Sequence, residues 1–151
     1  MTDREKMLNK NLKLLIVNDL SSMQEIIKKM LREIGFINID EAEGGAEALR
    51  KLQQGAFDFV ISDWHMSKMD GLTMLQTVRA TKMLKDIPVL MVTEKVSKIN
   101  ILAAAKAGAN GYLIRPFSRA TLNEKLNIIY KNIENCTYSS IENTEDVEFY
   151  V

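Results

Sequence analysis

Phe59-Val60-Ile61-Ser62-Asp63-Trp64-His65 decides how the rest of the chain is read. A short β-forming, mostly apolar run reaches a carboxylate, and the regular pattern stops there. Asp63 is therefore expected where a buried strand gives way to a loop. In open α/β sheets the working groups gather at the carboxyl ends of strands, so Asp63 is the first candidate for an active position.

Working outward, similar apolar runs recur on both sides. Leu12 to Val17 reads as strand 1, followed by Asn18 and Asp19. Ser22 with Glu25 matches a capping box opening helix 1. Met23, Ile26, Ile27, Met30, Leu31 and Ile34 supply its apolar face, and Gly35 its stop. Ile37 to Glu43, with polar interruptions, reads as an edge strand. Gly44-Gly45 breaks it, and Ala46, Leu49 and Leu52 give a short helix ending at Gly55.

Asp58 to Ser62 is strand 3. Met66-Ser67-Lys68-Met69-Asp70-Gly71 is a loop whose Asp-Gly calls for a turn, and Leu72, Leu75 and Val78 form helix 3. Pro88 to Val92 is strand 4, running into Thr93 and Glu94. Ile99 to Ala107 is an Ala-rich helix stopped by Gly108, and Gly111 to Ile114 is strand 5, ending at Arg115-Pro116. Ser118 caps a last helix bearing Leu122, Leu126, Ile129 and Ile133 on one face. Five β-then-α units in series imply a parallel α/β sheet with helices on both faces.

Composition excludes several classes. At 151 residues, 46% hydrophobic and 26% charged, the chain suits one globular domain. No apolar run approaches the roughly 18 residues of a membrane span, and the charged N-terminus lacks a secretory h-region, so no membrane insertion is expected. The single Cys136 forms no internal disulfide, which fits the cytoplasm. Every basic residue lies at or before Lys131, leaving the body at +5 and the stretch from Glu134 at −5. A body charge that small does not argue for nucleic acid. The expected division is an N-terminal segment over 1–11, a domain over 12–133 and an acidic, flexible tail over 134–151.

Asp19, Asp63, Thr93 and Arg115 each follow a strand, so all four are expected at one edge of the sheet. Neighbouring carboxylates favour a raised pKa or a bound divalent cation, and an oxygen-only donor set suits Mg²⁺. A hydroxyl and a guanidinium opposite them would complement a phosphoryl group. The residues therefore suggest phosphoryl transfer to or from a carboxylate. Each also has a plain reading: Asp63 as a solvated strand-end acid, Asp19 as an acid opening a helix, Thr93 as a satisfied strand-end hydroxyl, Arg115 as a surface ion-pair partner.

Across Leu12 to Ile133 the chain resembles response-regulator receiver domains, most closely the CheY-like single-domain chemotaxis receivers. The resemblance rests on Phe-Val-Ile-Ser-Asp-Trp, Met-Asp-Gly-Leu, Pro-Val-Leu-Met-Val-Thr, Ala-Ala-Ala-Lys-Ala-Gly-Ala-Asn-Gly-Tyr and Arg-Pro-Phe-Ser-Arg-Ala-Thr-Leu-Asn-Glu-Lys-Leu. It implies a flavodoxin-like (βα)₅ fold with strand order 2-1-3-4-5. It also implies a signalling receiver rather than an enzyme, taking a phosphoryl group from a chemotaxis-type histidine kinase on Asp63. Asp19, Asp63 and the His65 carbonyl would hold Mg²⁺, with Asn18 in the outer sphere. Thr93, Arg115 and Tyr112 would bind the phosphoryl group and switch. A protein target such as the flagellar switch would read a face including Lys98, Tyr112, Arg119 and Lys125, on a monomeric chain. An aspartyl-phosphate phosphatase is disfavoured because His65 stands where such enzymes carry a second acid, and a flavodoxin is disfavoured for lack of a phosphate loop after strand 1.

Departures from the family pattern cluster at the site. Asn18 replaces the first of two acids, so Mg²⁺ is expected to bind more weakly. Arg115 replaces Lys, and a planar fork is not interchangeable with an ammonium. Glu94 replaces a small residue, while His65 and Lys95 occupy positions that tune access and dephosphorylation. Ser67 replaces the Pro of the Met-Pro-x-Met-Asp-Gly loop, a change expected to cost rigidity and little else. Trp64 is expected to be half-exposed. These departures raise an alternative: a degenerate receiver that works as a phosphorylation-poor or phosphorylation-independent interaction module. For the tail, the alternative is that it folds back on Lys98, Arg119 or Lys125.

Overall fold

The computed structural model describes residues 9–94 and 97–134. Strands β1 (Lys13–Val17), β2 (Asn38–Ala42), β3 (Phe59–Asp63), β4 (Val89–Thr93) and β5 (Gly111–Ile114) alternate with five helices. These are α1 (Ser21–Ile34), α2 (Gly45–Gln54), α3 (Gly71–Ala80), α4 (Lys98–Lys106) and α5 (Arg119–Glu134). All pairings are parallel, in the order β2-β1-β3-β4-β5, as the alternation of apolar runs and helical faces implies. This is the flavodoxin-like arrangement and strand order that the resemblance implies.

Alternation along each strand divides the core in two. Leu15, Val17, Val60, Met91 and Tyr112 pack on one side with Met74, Leu75, Val78 and Ile101 from α3 and α4. Leu14, Ile16, Phe59, Ile61, Leu90 and Leu113 pack on the other with Ile27, Leu31, Leu122, Leu126 and Ile129 from α1 and α5. Each such side chain contributes roughly 1.5–3 kcal/mol by leaving water. Both faces of the central strands are thus covered, and that is why they read as unbroken apolar runs.

The edges look different. β2 is partly exposed along most of its length, and its acids are ion-paired: Glu41 with Lys28 at 2.6 Å and Asp40 with Lys51 at 3.1 Å. Its edge position follows the sequence reading. β5, at the opposite edge, has only four residues.

Three sequence expectations change at this level. Ser22 and Glu25 do not form a capping box, because α1 begins at Ser21 with Leu20 at its N-cap and no side chain capping it. Asn18 shapes that entry instead, its Oδ1 accepting from the Leu20 N–H at 2.9 Å. Met23, Ile27, Met30, Leu31 and Ile34 of α1 face the core as expected, joined by the buried Gln24, while Ile26 is exposed. The periodic pattern admitted Ile26, but the buried position goes to Gln24, whose amide finds two carbonyls inside. The Asp70-Gly71 pair is a helix start rather than a free turn, with Asp70 Oδ1 accepting from the Thr73 N–H at 2.8 Å. Ser118, by contrast, caps α5 as expected, accepting from the Thr121 N–H at 3.1 Å.

Candidate functional site

β1 lies between β2 and β3, so the chain reverses its direction of sheet growth there. Such a switch point opens a crevice beyond the carboxyl ends of the two strands. Asp63 is the last residue of β3, and Asp19 stands two residues past the end of β1. Register pairs Val17 with Ser62 and Asp63 with Val92, which brings these strand ends to one level.

Asp63 is only 3% exposed. Burial pushes its carboxyl above the usual carboxylate range; the Arg115 guanidinium and the amides of Trp64 and His65 pull it down, and the Asp19 charge pushes it up again. Arg115 Nη2 stands 3.5 Å from Asp63 Oδ1. That exceeds the roughly 2.7–2.9 Å of a charge-assisted hydrogen bond, so the pair attracts without locking. The same Nη2 lies 3.5 Å from Oε1 of the exposed Glu94, and Arg115 Nε is buried without a partner among the described residues. One guanidinium is thus shared between two acids, with a donor to spare.

The backbone behind Asp63 is closely held. Trp64 N–H donates to the Val92 carbonyl at 2.9 Å and Gly71 N–H to the Trp64 carbonyl at 2.7 Å. A Cβ at residue 71 would run into the Asp63 carbonyl oxygen and lie 2.8 Å from Met91 Cε. Glycine is needed there for close approach. Trp64 is not half-exposed: it is 7% exposed, its ring edge-on to Tyr112 with centroids 6.1 Å apart. Packing against a fully buried ring on β5 draws it inside. Tyr112 is buried, its hydroxyl bonded to that of Thr93; burial raises its pKa and this bond opposes the rise.

On the β1 side, Asn18 is buried, and its Nδ2 has no hydrogen-bond partner among the described residues. The Gln24 amide donates to the Asn18 carbonyl at 2.6 Å and to the Ala42 carbonyl at 3.0 Å. Asp19 Oδ2 accepts from the Ser67 N–H at 2.9 Å, which ties the β1–α1 loop to the β3–α3 loop. Among the described residues no group of three or more His, Cys, Asp or Glu side chains gathers as a metal cluster. Two mutually repelling carboxylates with one oxygen left open on Asp19 still suit a hard cation completed by a backbone carbonyl and water.

The structure therefore brings Asp63, Asp19, Arg115, Glu94, Asn18, Thr93 and Tyr112 to one end of the sheet. His65 is exposed beside Asp63, and Lys95 lies outside the described residues. The expected output face is less uniform. Lys98 is exposed, next to Ile99 at 79%. Arg119 pairs with Glu33 of α1 at 3.5 Å. Lys125, expected on an open surface, is only 8% exposed, and burial lowers its pKa. Its place between Leu122, Leu126 and Ile129 puts its aliphatic stem on the apolar stripe of α5. Gln24, the Ser67 amide and the close approach of Gly71 were missed by sequence reasoning. Only Gly71 left a signal, as the Asp-Gly already noted.

Comparison with known proteins agrees with this geometry. Residues 14–127 match the family described as the response regulator receiver domain. The chain is 48% identical over 129 residues to chemotaxis protein CheY-3 of Vibrio cholerae, covering 85% of this chain and 99% of that protein. It is 46% identical over 122 residues to chemotaxis protein CheY of Pseudomonas aeruginosa, covering 81% and 98%. Among solved structures, Vibrio cholerae CheY4 superposes with a TM-score of 0.74 at 33% identity, covering 79% of this chain and 98% of that one. The receiver domain of Francisella response regulator 1452 gives 0.72 at 31% identity, covering 82% and 99%.

Proposed function

Because the chain belongs to the response regulator receiver domain family, whose members are signalling modules rather than catalysts, we propose that it is a CheY-like receiver phosphorylated on Asp63. The observation that carries this reading is the Asp63 carboxylate, buried at the end of β3 with Asp19 and Arg115 acting on it. The donor is a phosphohistidine on a chemotaxis-type histidine kinase. An Asp63 carboxylate oxygen attacks phosphorus, the phosphorus–nitrogen bond breaks, and the imidazole leaves with that electron pair, giving an acyl phosphate.

Asp19, Asp63 and the His65 main-chain carbonyl would hold Mg²⁺, which would neutralise charge on the phosphoryl oxygens. Arg115 has the reach and the spare donors to leave Glu94 and Asp63 for the phosphoryl group. The Thr93 hydroxyl shifts toward it from Tyr112, and that exchange passes the event to β5 and α4. His65, Glu94 and Lys95 govern access and hydrolysis. The target is a protein such as the flagellar switch, read through the face around Lys98 and Ile99. We take the receiver as 12–133, monomeric and cytoplasmic; no helix among the described residues is long and apolar enough to cross a membrane. The tail from 135 to 151 lies outside the described residues.

Incubation with Mg²⁺ and a small phosphodonor or a histidine kinase should add the mass of one phosphoryl group, and Asp63→Asn should abolish the gain. Absence of any gain with every donor would remove this reading. One observation favours a second: Glu94 holds Arg115 at the mouth of the site and sets a negative charge before an anionic donor. On that reading the chain is an interaction module that binds its target with little phosphorylation. Target binding unchanged by phosphodonor and by Asp63→Asn would select it.

A further inference from the structure

We propose that the main-chain N–H of Ser67 is a positioning donor of the metal site, orienting Asp19 for the cation. The proposal rests on the Mg²⁺ reading above. Asp19 is attached to a loop whose neighbouring side chain cannot share its work. Asn18 Oδ1 is committed to the Leu20 N–H, and Asn18 Nδ2 is a donor, which a cation repels. One carboxylate from the β1–α1 loop thus has to meet the metal, and a partly exposed Asp side chain samples several rotamers.

The Ser67 N–H removes that freedom. It fixes Oδ2 at 2.9 Å across 48 residues of chain, while Oδ1 has no hydrogen bond among the described residues. A carboxylate held by one oxygen presents the other in a defined direction and leaves less side-chain entropy to lose on binding. The Ser67 hydroxyl takes no part: the residue is exposed, and its side chain makes no hydrogen bond among the described residues. The contribution belongs to the backbone alone. It is a contact that the proline-bearing version of this loop is unable to make, since proline has no N–H. The Ser67 change, expected from sequence to cost only rigidity, would offset part of what the neutral Asn18 takes away.

The test is a Mg²⁺ titration followed by Trp64 emission on the full chain, comparing the native protein, Ser67→Ala and Ser67→Pro. Ser67→Ala keeps the N–H and should bind within twofold of the native chain. Ser67→Pro should raise the dissociation constant by about fivefold, the scale of one lost hydrogen bond. Placing Ser67→Pro in an Asp19→Asn background should add no further loss, and this separates positioning of Asp19 from general damage to the loop. Equal or tighter binding by Ser67→Pro would overturn the proposal, because the amide would then be competing with the metal. Equal weakening by Ser67→Ala, or an undiminished loss in the Asp19→Asn background, would overturn it too. A native chain that ignores millimolar Mg²⁺ would remove the metal reading itself, a failure distinct from the others.

Discussion

Behind Asp63 the main chain of the β3–α3 junction is matched group to group: Trp64 N–H with the Val92 carbonyl, Gly71 N–H with the Trp64 carbonyl, Thr73 N–H with Asp70. In front of it, Asn18 Nδ2 and Arg115 Nε are buried with no partner among the described residues. Buried polar groups without partners are uncommon in native proteins and cost about 1–3 kcal/mol each. A third such atom, the acceptor Asn127 Oδ1, lies on α5, but both unpartnered donors stand at this end of the sheet, opposite a well-satisfied backbone, and that separates two duties. The rear is set by folding and holds Asp63 still; the front keeps donors that the fold itself does not use.

The contrast breaks most visibly at Gly71. Gly71→Ala forces a methyl group against the Asp63 carbonyl, so unfolding free energy should fall by about 3 kcal/mol. Denaturant unfolding measures this, and a variant as stable as the native chain would show that the rear is not rigid. Gln24→Leu keeps the volume and deletes the two bonds to the Asn18 and Ala42 carbonyls, with an expected loss of about 1–2 kcal/mol. Ala42 still accepts from the Asn18 N–H, so most of that loss belongs to the Asn18 carbonyl.

The smallest expected effect lies at the front, and its sign is what matters. Burial raises the Asp63 carboxyl, so the folded chain keeps a proton that the unfolded chain has released. Its ionisation therefore costs stability, a cost absent below the unfolded value of about 3.9 and complete above the raised folded one. Asp63→Asn should gain stability over the native protein at about pH 7 and lose that advantage at about pH 3.5. Unfolding curves at the two pH values decide it, and an advantage independent of pH would mean that Arg115 balances the buried charge.

What could be read from the sequence follows the same division. β1, β3, β4 and β5 were legible because strands covered on both faces must be apolar throughout, and helices between them force parallel pairing. Asp19, Asp63, Thr93 and Arg115 were legible because each ends or follows such a run. The start of α1 was misread because Ser22 and Glu25 have the spacing of a capping box, while the loop is governed by Asn18 further back. Lys125 was misread because its charge hides a stem long enough to lie among leucines. The Ser67 contact was beyond reach for a different reason. Main-chain donors are common to every residue but proline, so only a structure shows which one is aimed at a carboxylate.

The charged pairs along β2 bear on how crowded copies of this chain behave. A strand edge is a template for another strand, and that hazard grows as copies are crowded together. A second copy extending the sheet past β2 would have to lie against Asp40 and Glu41 and displace Lys51 and Lys28 from them. At the far edge, four residues offer too little ladder to recruit a neighbour. Both margins of the sheet thus discourage fibre-like growth, and the surfaces left for company are the helices.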